Sequence, residues 1–293
     1  MQDYMIFVDT SVDVEPAYAA ANDIRFVPMH YTLGAEDRLC DEIQDEELLA
    51  RFYNGQKNGD LTQTSQIAPG VYLDLFTPLM EEGKDIIYIS LSSGLTKTFD
   101  NVMLAQAELK ESFPERTLYP VDSLSASAGL GLLVEAAVEG REKGLSAKEN
   151  ADRLTELAGK VCVTLMVDDL MYLKRGGRIP ATTAVIGTML NVKPILCLNP
   201  EGKLSTLTKK RGEKPALKEL VSLYAEYRDA SLGNHVYVIH GNASERADHM
   251  IDLVREVDGT TKITKMMEGP IIGAHTGPGT ILLIYFGDRT KLK

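Results

Sequence analysis

One histidine, His275, sits in the most constrained backbone of the chain, the stretch GPIIGAHTGPGT (269–280). Gly273, Gly277 and Gly279 can adopt positive φ or admit a close neighbour, while Pro270 and Pro278 fix the path. An imidazole held this way suits hydrogen bonding to a ligand, although a tight connection would need the same glycines. The hydroxyl-rich segment TQTSQ (62–66) and the serines of SLSSGL (90–95) are the other concentrations of small polar groups. A strand running into a helix at SSG would offer unpaired N–H groups to a carboxylate or phosphate. N-capping and ordinary turns explain the same residues equally well. SSGL is not G-x-S-x-G, so no nucleophile elbow is expected. Lys174, Arg175 and Arg178 in LKRGGRI (173–179), and Lys209, Lys210 and Arg211 in TKKRG (208–212), form a dense basic set. Guanidinium groups bind anionic oxygens as a fork. The neighbouring glycines do not form G-x-x-x-x-G-K-[ST], which argues against ATP binding by this chain alone. His30, His235, His240 and His249 lack metal-ligand spacing, and no metal site is expected.

The elements that must position these residues alternate. YMIFVD (4–9), IRFVPMHYTL (24–33), DIIYISL (85–91) and TLYPVDS (117–123) read as strands. Helical patterns lie between them: EPAYAAAN (15–22), DEELLARFYNG (45–55) with its glycine as a C-cap, PGVYLDLFTPLMEEG (69–83), LTKTFDNVMLAQAELKE (95–111) and a helix from Ser125 to Glu142. In 95–111 the apolar side is expected to carry Phe99, Val102, Met103 and Leu109. Residues 56–66 read as a loop. Buried strands alternating with helices predict a parallel sheet. Ligands of such sheets gather at the strand carboxyl ends, here Asp9, Thr10 and Ser11, Ser92 and Ser93, and Asp122 and Ser123. From VCVTLMV (161–167) the pattern changes to a short helix, a hairpin over 192–212 with its tip at Asn199 to Gly202, and further strands and helices up to TILLIYFG (280–287). The expected class is α/β in two domains, an N-terminal parallel-sheet α/β domain over 1–160 and a C-terminal mixed α+β domain over 161–293.

Composition narrows the function classes. The 293 residues are 44% hydrophobic, enough for a sizeable core without staples. Cys40, Cys162 and Cys197 are far apart, so reduced, buried thiols and a reducing compartment are expected. Lys and Arg number 31 against 42 Asp and Glu, and the net charge of −11 opposes binding to a nucleic-acid backbone. No basic leader or charge-free span is apparent, which predicts a soluble cytoplasmic protein.

As a set, VDTSVDV, TSQ (64–66), SSGLTKTF (92–99), VDS followed by SAGLG (127–131), LKRGGRI, GTMLNVKPIL (187–196), KKRG and GPIIGAHTGPGT follow the order and approximate spacing of the DegV family of bacterial fatty-acid-binding proteins, which this chain resembles. The resemblance implies a two-domain carrier that encloses one long-chain fatty acid in an apolar tunnel near the domain junction. It implies no catalytic residue and no cofactor. A separate ATP-dependent fatty acid kinase would phosphorylate the carboxylate to an acyl phosphate for phospholipid synthesis, with transient membrane contact for lipid exchange. Carried over by motif, Thr64, Ser93 and Thr96 would hold the carboxylate, and His275 would join them, its glycines and prolines pressing backbone toward the head group. Arg178 and Arg211 would serve the head group or the kinase-facing surface. Ile67 stands where the family commonly has proline, and Lys97 and Phe99 where it has glycine and tyrosine. A related fold, the substrate domain of dihydroxyacetone kinases, offers the alternative of a small carbonyl substrate held on His275.

Overall fold

A computed structural model describes residues 4–41, 44–180 and 191–293. Residues 187–190 of the GTMLNVKPIL motif lie outside these. Four strands, β1 (Tyr4–Asp9), β2 (Ile24–Val27), β6 (Asp85–Ser90) and β7 (Leu118–Asp122), form an all-parallel sheet in the order β2-β1-β6-β7. Its intervening helices are α1 (Pro16–Ala21), α3 (Pro69–Glu81), α4 (Thr98–Ser112) and α5 (Ala128–Glu142). A mixed six-stranded sheet follows α6 (Ala147–Ala158): β8 (Val161–Met166), β9 (Val192–Leu198), β10 (Leu204–Arg211), β11 (His235–His240), β12 (Lys262–Met267) and β13 (Ile281–Phe286), ordered β10-β9-β8-β13-β11-β12. Only β11 and β12 pair in parallel there. The fold is therefore α/β, with an N-terminal parallel-sheet domain and a C-terminal mixed-sheet domain.

Helix α5 joins the two sheets. Its sequence AGLGLLVEAAVEGRE is apolar nearly all round, as befits a helix covered on every side. It packs on β1 and β6 of the first sheet and on β8, β11 and β13 of the second. Consequently one continuous core runs from Ile6 and Ile87 through Leu130 and Leu133 to Val163 and Leu282.

Local chemistry explains where the elements differ from the expected ones. Pro28, without an N–H, splits 24–33 into β2 and β3 (Met29–Leu33), which belong to different sheets. Thr10 stitches the break, accepting from Met29 N at 2.9 Å through its hydroxyl. β3 pairs antiparallel with β4 (Glu36–Cys40) and β5 (Thr62–Thr64), so the expected loop 56–66 contains a strand. Helix α2 (Glu46–Lys57) runs through Gly55 rather than stopping there; a side chain at that position would meet Asp60 at 2.8 Å and Leu33 at 2.9 Å, which accounts for the glycine. On α4 the buried side is Thr98, Val102, Ala105 and Leu109, while Met103 is exposed, one position off the expected stripe.

The three cysteines are buried and free, and burial pushes each thiol up to about 12. A thiol-titrating disulfide reagent is thus expected to find none of them in the folded protein and all three after unfolding. Fast labelling of the native state would contradict the packing described.

Candidate ligand-binding site

The stretch 269–280 forms a helix, α10 (Pro270–Thr276), rather than an extended turn. Pro270 occupies the first turn, where its missing N–H costs nothing, and Gly277 ends the helix at φ +78. The expectation that these glycines press backbone against a ligand is corrected. A Cβ on Gly273 would meet the Tyr53 hydroxyl at 2.5 Å, and one on Gly277 the Tyr172 ring at 2.5 Å, so the glycines seat the helix between α2 and α7 (Leu170–Arg175).

His275 points from α10 toward β5, where its Nε2 lies 2.8 Å from Thr64 Oγ1. Nδ1 is buried with no partner among the described residues. Gly176, at the end of α7, makes room for the ring: a Cβ there would come 2.9 Å from Cε1 and 3.2 Å from Cγ, and closer still to Nδ1. Burial, and secondarily the charge of Arg178, pushes the imidazole down to about 3. The ring is therefore neutral at physiological pH, with one N–H. An orphaned acceptor costs less than an orphaned donor, which favours the proton on Nε2. That N–H donates to Thr64 Oγ1 and turns the threonine O–H away from the ring.

Arg178 Nη1 donates to the Gly176 carbonyl. Burial lowers its pKa, and among the described residues no carboxylate lies within ion-pair distance of it. A desolvated guanidinium without a counter-ion is a strong attractor for an anion.

Thr64, His275 and Arg178 share one pocket, and its other walls are almost entirely apolar. Leu165 and Leu282 come from paired positions of β8 and β13, Leu198 and Leu204 from paired positions of the β9–β10 hairpin, and Leu91 and Ala126 from the loops after β6 and β7. Leu173 of α7 and Ile271 of α10 complete the apolar wall. The space between these walls, open mouth included, is about 630 Å³.

The remaining sequence candidates have other surroundings. Ser92 and Ser93 do not open α4, which starts at Thr98. Ser92 Oγ donates to the Gly202 carbonyl at 2.8 Å and docks the β9–β10 hairpin tip on the first sheet. Ser93 donates its N–H to Asp122 at 3.1 Å and is not among the pocket-lining residues, though Leu91 and Leu95 on either side of it are. Thr96 Oγ1 accepts from the N–H of Thr98, the first residue of α4, at 3.2 Å. Arg211 is exposed at the end of β10. Asp9 is scaffold too, accepting from Leu91 N at 2.7 Å and Tyr88 at 3.1 Å. Sequence reasoning missed Gly176 as the ring's seat and the leucine walls. The first gave only a GG dipeptide as a signal, and the second read as ordinary core.

A parallel and a mixed sheet closed around an apolar pocket, with hydroxyl, imidazole and guanidinium gathered at one place, define a two-domain α/β binding fold. The chain belongs to the DegV family: the family profile described as "Uncharacterised protein, DegV family" matches residues 4–287. The DegV domain-containing protein YteA of Lactococcus lactis is 31% identical over 290 residues, 98% of this chain and 99% of that protein. A Thermus thermophilus DegV family protein, whose solved structure is described as showing fatty acid binding, is similar with a TM-score of 0.81 at 26% identity, covering 97% of this chain and 99% of that one. The Streptococcus pneumoniae Fatty Acid Kinase (Fak) B3 protein, solved loaded with linoleic acid, gives a TM-score of 0.84 over 98% of this chain and 100% of that one. Its identity of 20% makes that a likeness of fold.

Proposed function

We propose that this protein is a carrier that holds one long-chain fatty acid and offers its carboxylate to a separate ATP-dependent fatty acid kinase. The observation that carries the reading is the pocket's composition: leucine, isoleucine and valine walls, with Thr64, His275 and Arg178, which has no carboxylate partner among the described residues, at one polar pole. Burying about fifteen methylenes at roughly 0.8 kcal/mol each supplies on the order of 10 kcal/mol before ordering costs. The tail thus supplies affinity, while the Thr64 hydroxyl and Arg178 offset desolvation of the carboxylate. Ser93, between two lining leucines and without a side-chain partner among the described residues, reaches the head group from the rim. Thr96 stays engaged with the start of α4, and Arg211 belongs to the surface that meets the kinase. The kinase partnership draws on the shared family and on the Fak B3 fold. A small carbonyl substrate on His275 would call for a polar cavity, and the walls here are apolar. With a domain division near residue 160, the pocket lies at the junction in this reading, which is supported by Leu91 and Ala126 from the loops after β6 and β7 facing Leu165 and Leu282 of the second sheet.

Mass spectrometry of protein purified without detergent is expected to find a co-purifying fatty acid, and its absence, together with failure to bind added oleic acid, would overturn the reading. Loss of a hydrogen bond to a charged group costs about tenfold in affinity or somewhat more. Thr64→Ala and His275→Ala should each show a loss of that size in a fluorescent fatty acid displacement assay. Equal affinity in both variants would remove the head group from this pole.

A further inference from the structure

Two carboxyl groups are wholly buried where α10 meets the first domain, and the head-group site uses neither directly. Asp13, in the loop after β1, accepts from Gly269 N at 2.8 Å, from Gln44 at 2.8 Å and from Ser127 at 2.5 Å. Glu268, one residue before Gly269, folds its carboxyl against Thr276, the neighbour of His275, with Oε2 2.5 Å from Thr276 Oγ1. The Tyr53 hydroxyl donates to the Glu268 carbonyl at 3.0 Å. Among the described residues Glu268 Oε1 is buried without any partner, and no cation lies within ion-pair distance of the group.

This geometry suits an acid, not a carboxylate. An ionised carboxylate would bury an unpaired oxygen and a charge together, at high cost. Thr276 Oγ1 has a second acceptor, the Ile272 carbonyl at 3.3 Å, so the threonine proton can go there while a Glu268 O–H donates to the threonine.

We propose that Glu268 is a positioning residue: as a neutral carboxylic acid it holds Thr276, and through Thr276 fixes the helix that presents His275 to Thr64. Burial, with Asp13 adding repulsion, pushes Glu268 up to about 8, in keeping with that role. Burial likewise raises Asp13 to about 7. The titratable groups facing Glu268 are Asp13 and Tyr53. The other ionisable groups on packed elements, namely His30 and Tyr31 of β3, Glu46, Glu47, Arg51 and Lys57 of α2, Tyr172, Lys174 and Arg175 of α7, His240 of β11, and Lys262 and Lys265 of β12, make no side-chain bond to it. The sign follows: Glu268 is neutral below its folded pKa, and the site loosens as pH rises through it.

The inference rests on the fatty-acid reading for its binding readout, so the test carries a second readout that needs no ligand. Oleic acid affinity and the ¹⁵N shifts of the His275 ring would be followed from about pH 6 to about pH 9.5 in wild type, Glu268→Gln and Glu268→Ala. In wild type, affinity should fall on the order of tenfold as pH passes the Glu268 titration, and the ring signals should shift with it. Glu268→Gln keeps the neutral hydrogen-bonding form, so it should retain binding and abolish the step. Glu268→Ala should bind weakly at every pH while its circular dichroism stays native. A step that persists in Glu268→Gln overturns the proposal, as do His275 signals unmoved by Glu268→Ala. Absence of oleic acid binding by wild type at all pH values overturns the fatty-acid reading alone, and the ring signals then decide the positioning role.

Discussion

A Gly176→Ala protein is expected to fold normally and to lose fatty acid affinity about a hundredfold. The backbone at Gly176 has φ −70 and ψ −10, ordinary for alanine, so the substitution introduces no backbone strain. Its methyl group would instead occupy the space of the His275 ring, 2.9 Å from Cε1. The ring cannot retreat without giving up its 2.8 Å contact with Thr64, and Arg178, anchored on the Gly176 carbonyl, moves with the same turn. One methyl therefore disturbs all three polar groups together. Gly177→Ala makes a sharp contrast: φ is +73 with open space around it, so about 1 kcal/mol of stability should be lost with the pocket left intact. Displacement titrations and thermal melts of the two variants check this, and wild-type affinity in Gly176→Ala would refute the assigned ring position.

The largest effect on stability is expected at Arg289. This guanidinium is 1% exposed and has no acid partner among the described residues, yet it donates to three carbonyls from separate parts of the chain. Nη1 reaches Ala158 at the end of α6 at 3.1 Å, Nη2 reaches Asn199 at the hairpin tip at 2.8 Å, and Nη2 also donates to Leu124 after β7. Burial lowers its pKa, but the forked donors compensate for lost water. Arg289→Ala would strand these carbonyls and open a cavity, at a cost of about 3–5 kcal/mol in equilibrium unfolding by denaturant. Arg289→Lys should recover little, because an ammonium cannot span all three acceptors. A loss below about 1 kcal/mol in the alanine variant would show that the carbonyls find other donors.

Much of the architecture was legible because strands such as DIIYISL and helices such as PGVYLDLFTPLMEEG carry their pattern within themselves. Errors arose where a neighbour decided the outcome. Gly55 looks like a helix stop, but Leu33 explains it, and β5 is too short to announce itself without β3 beside it. At the site, Thr64, Arg178 and His275 stood out as polar residues in odd settings, and the fold gathers them. Ser92 stood out equally and proved to dock a hairpin, since a hydroxyl looks the same in sequence whether its acceptor is a ligand or the Gly202 carbonyl. Glu268 and Asp13 left no signal, because burial of a carboxyl is a property of the assembled sheets.

Helix α5 has a bearing on biosynthesis. Its far side is clothed by β8, β11 and β13, and the last of these ends at Phe286. A nascent polypeptide leaving the ribosome must therefore carry that oily cylinder half naked until β13 has emerged, so the first half cannot mature ahead of the second. Chaperone protection is needed most in that interval.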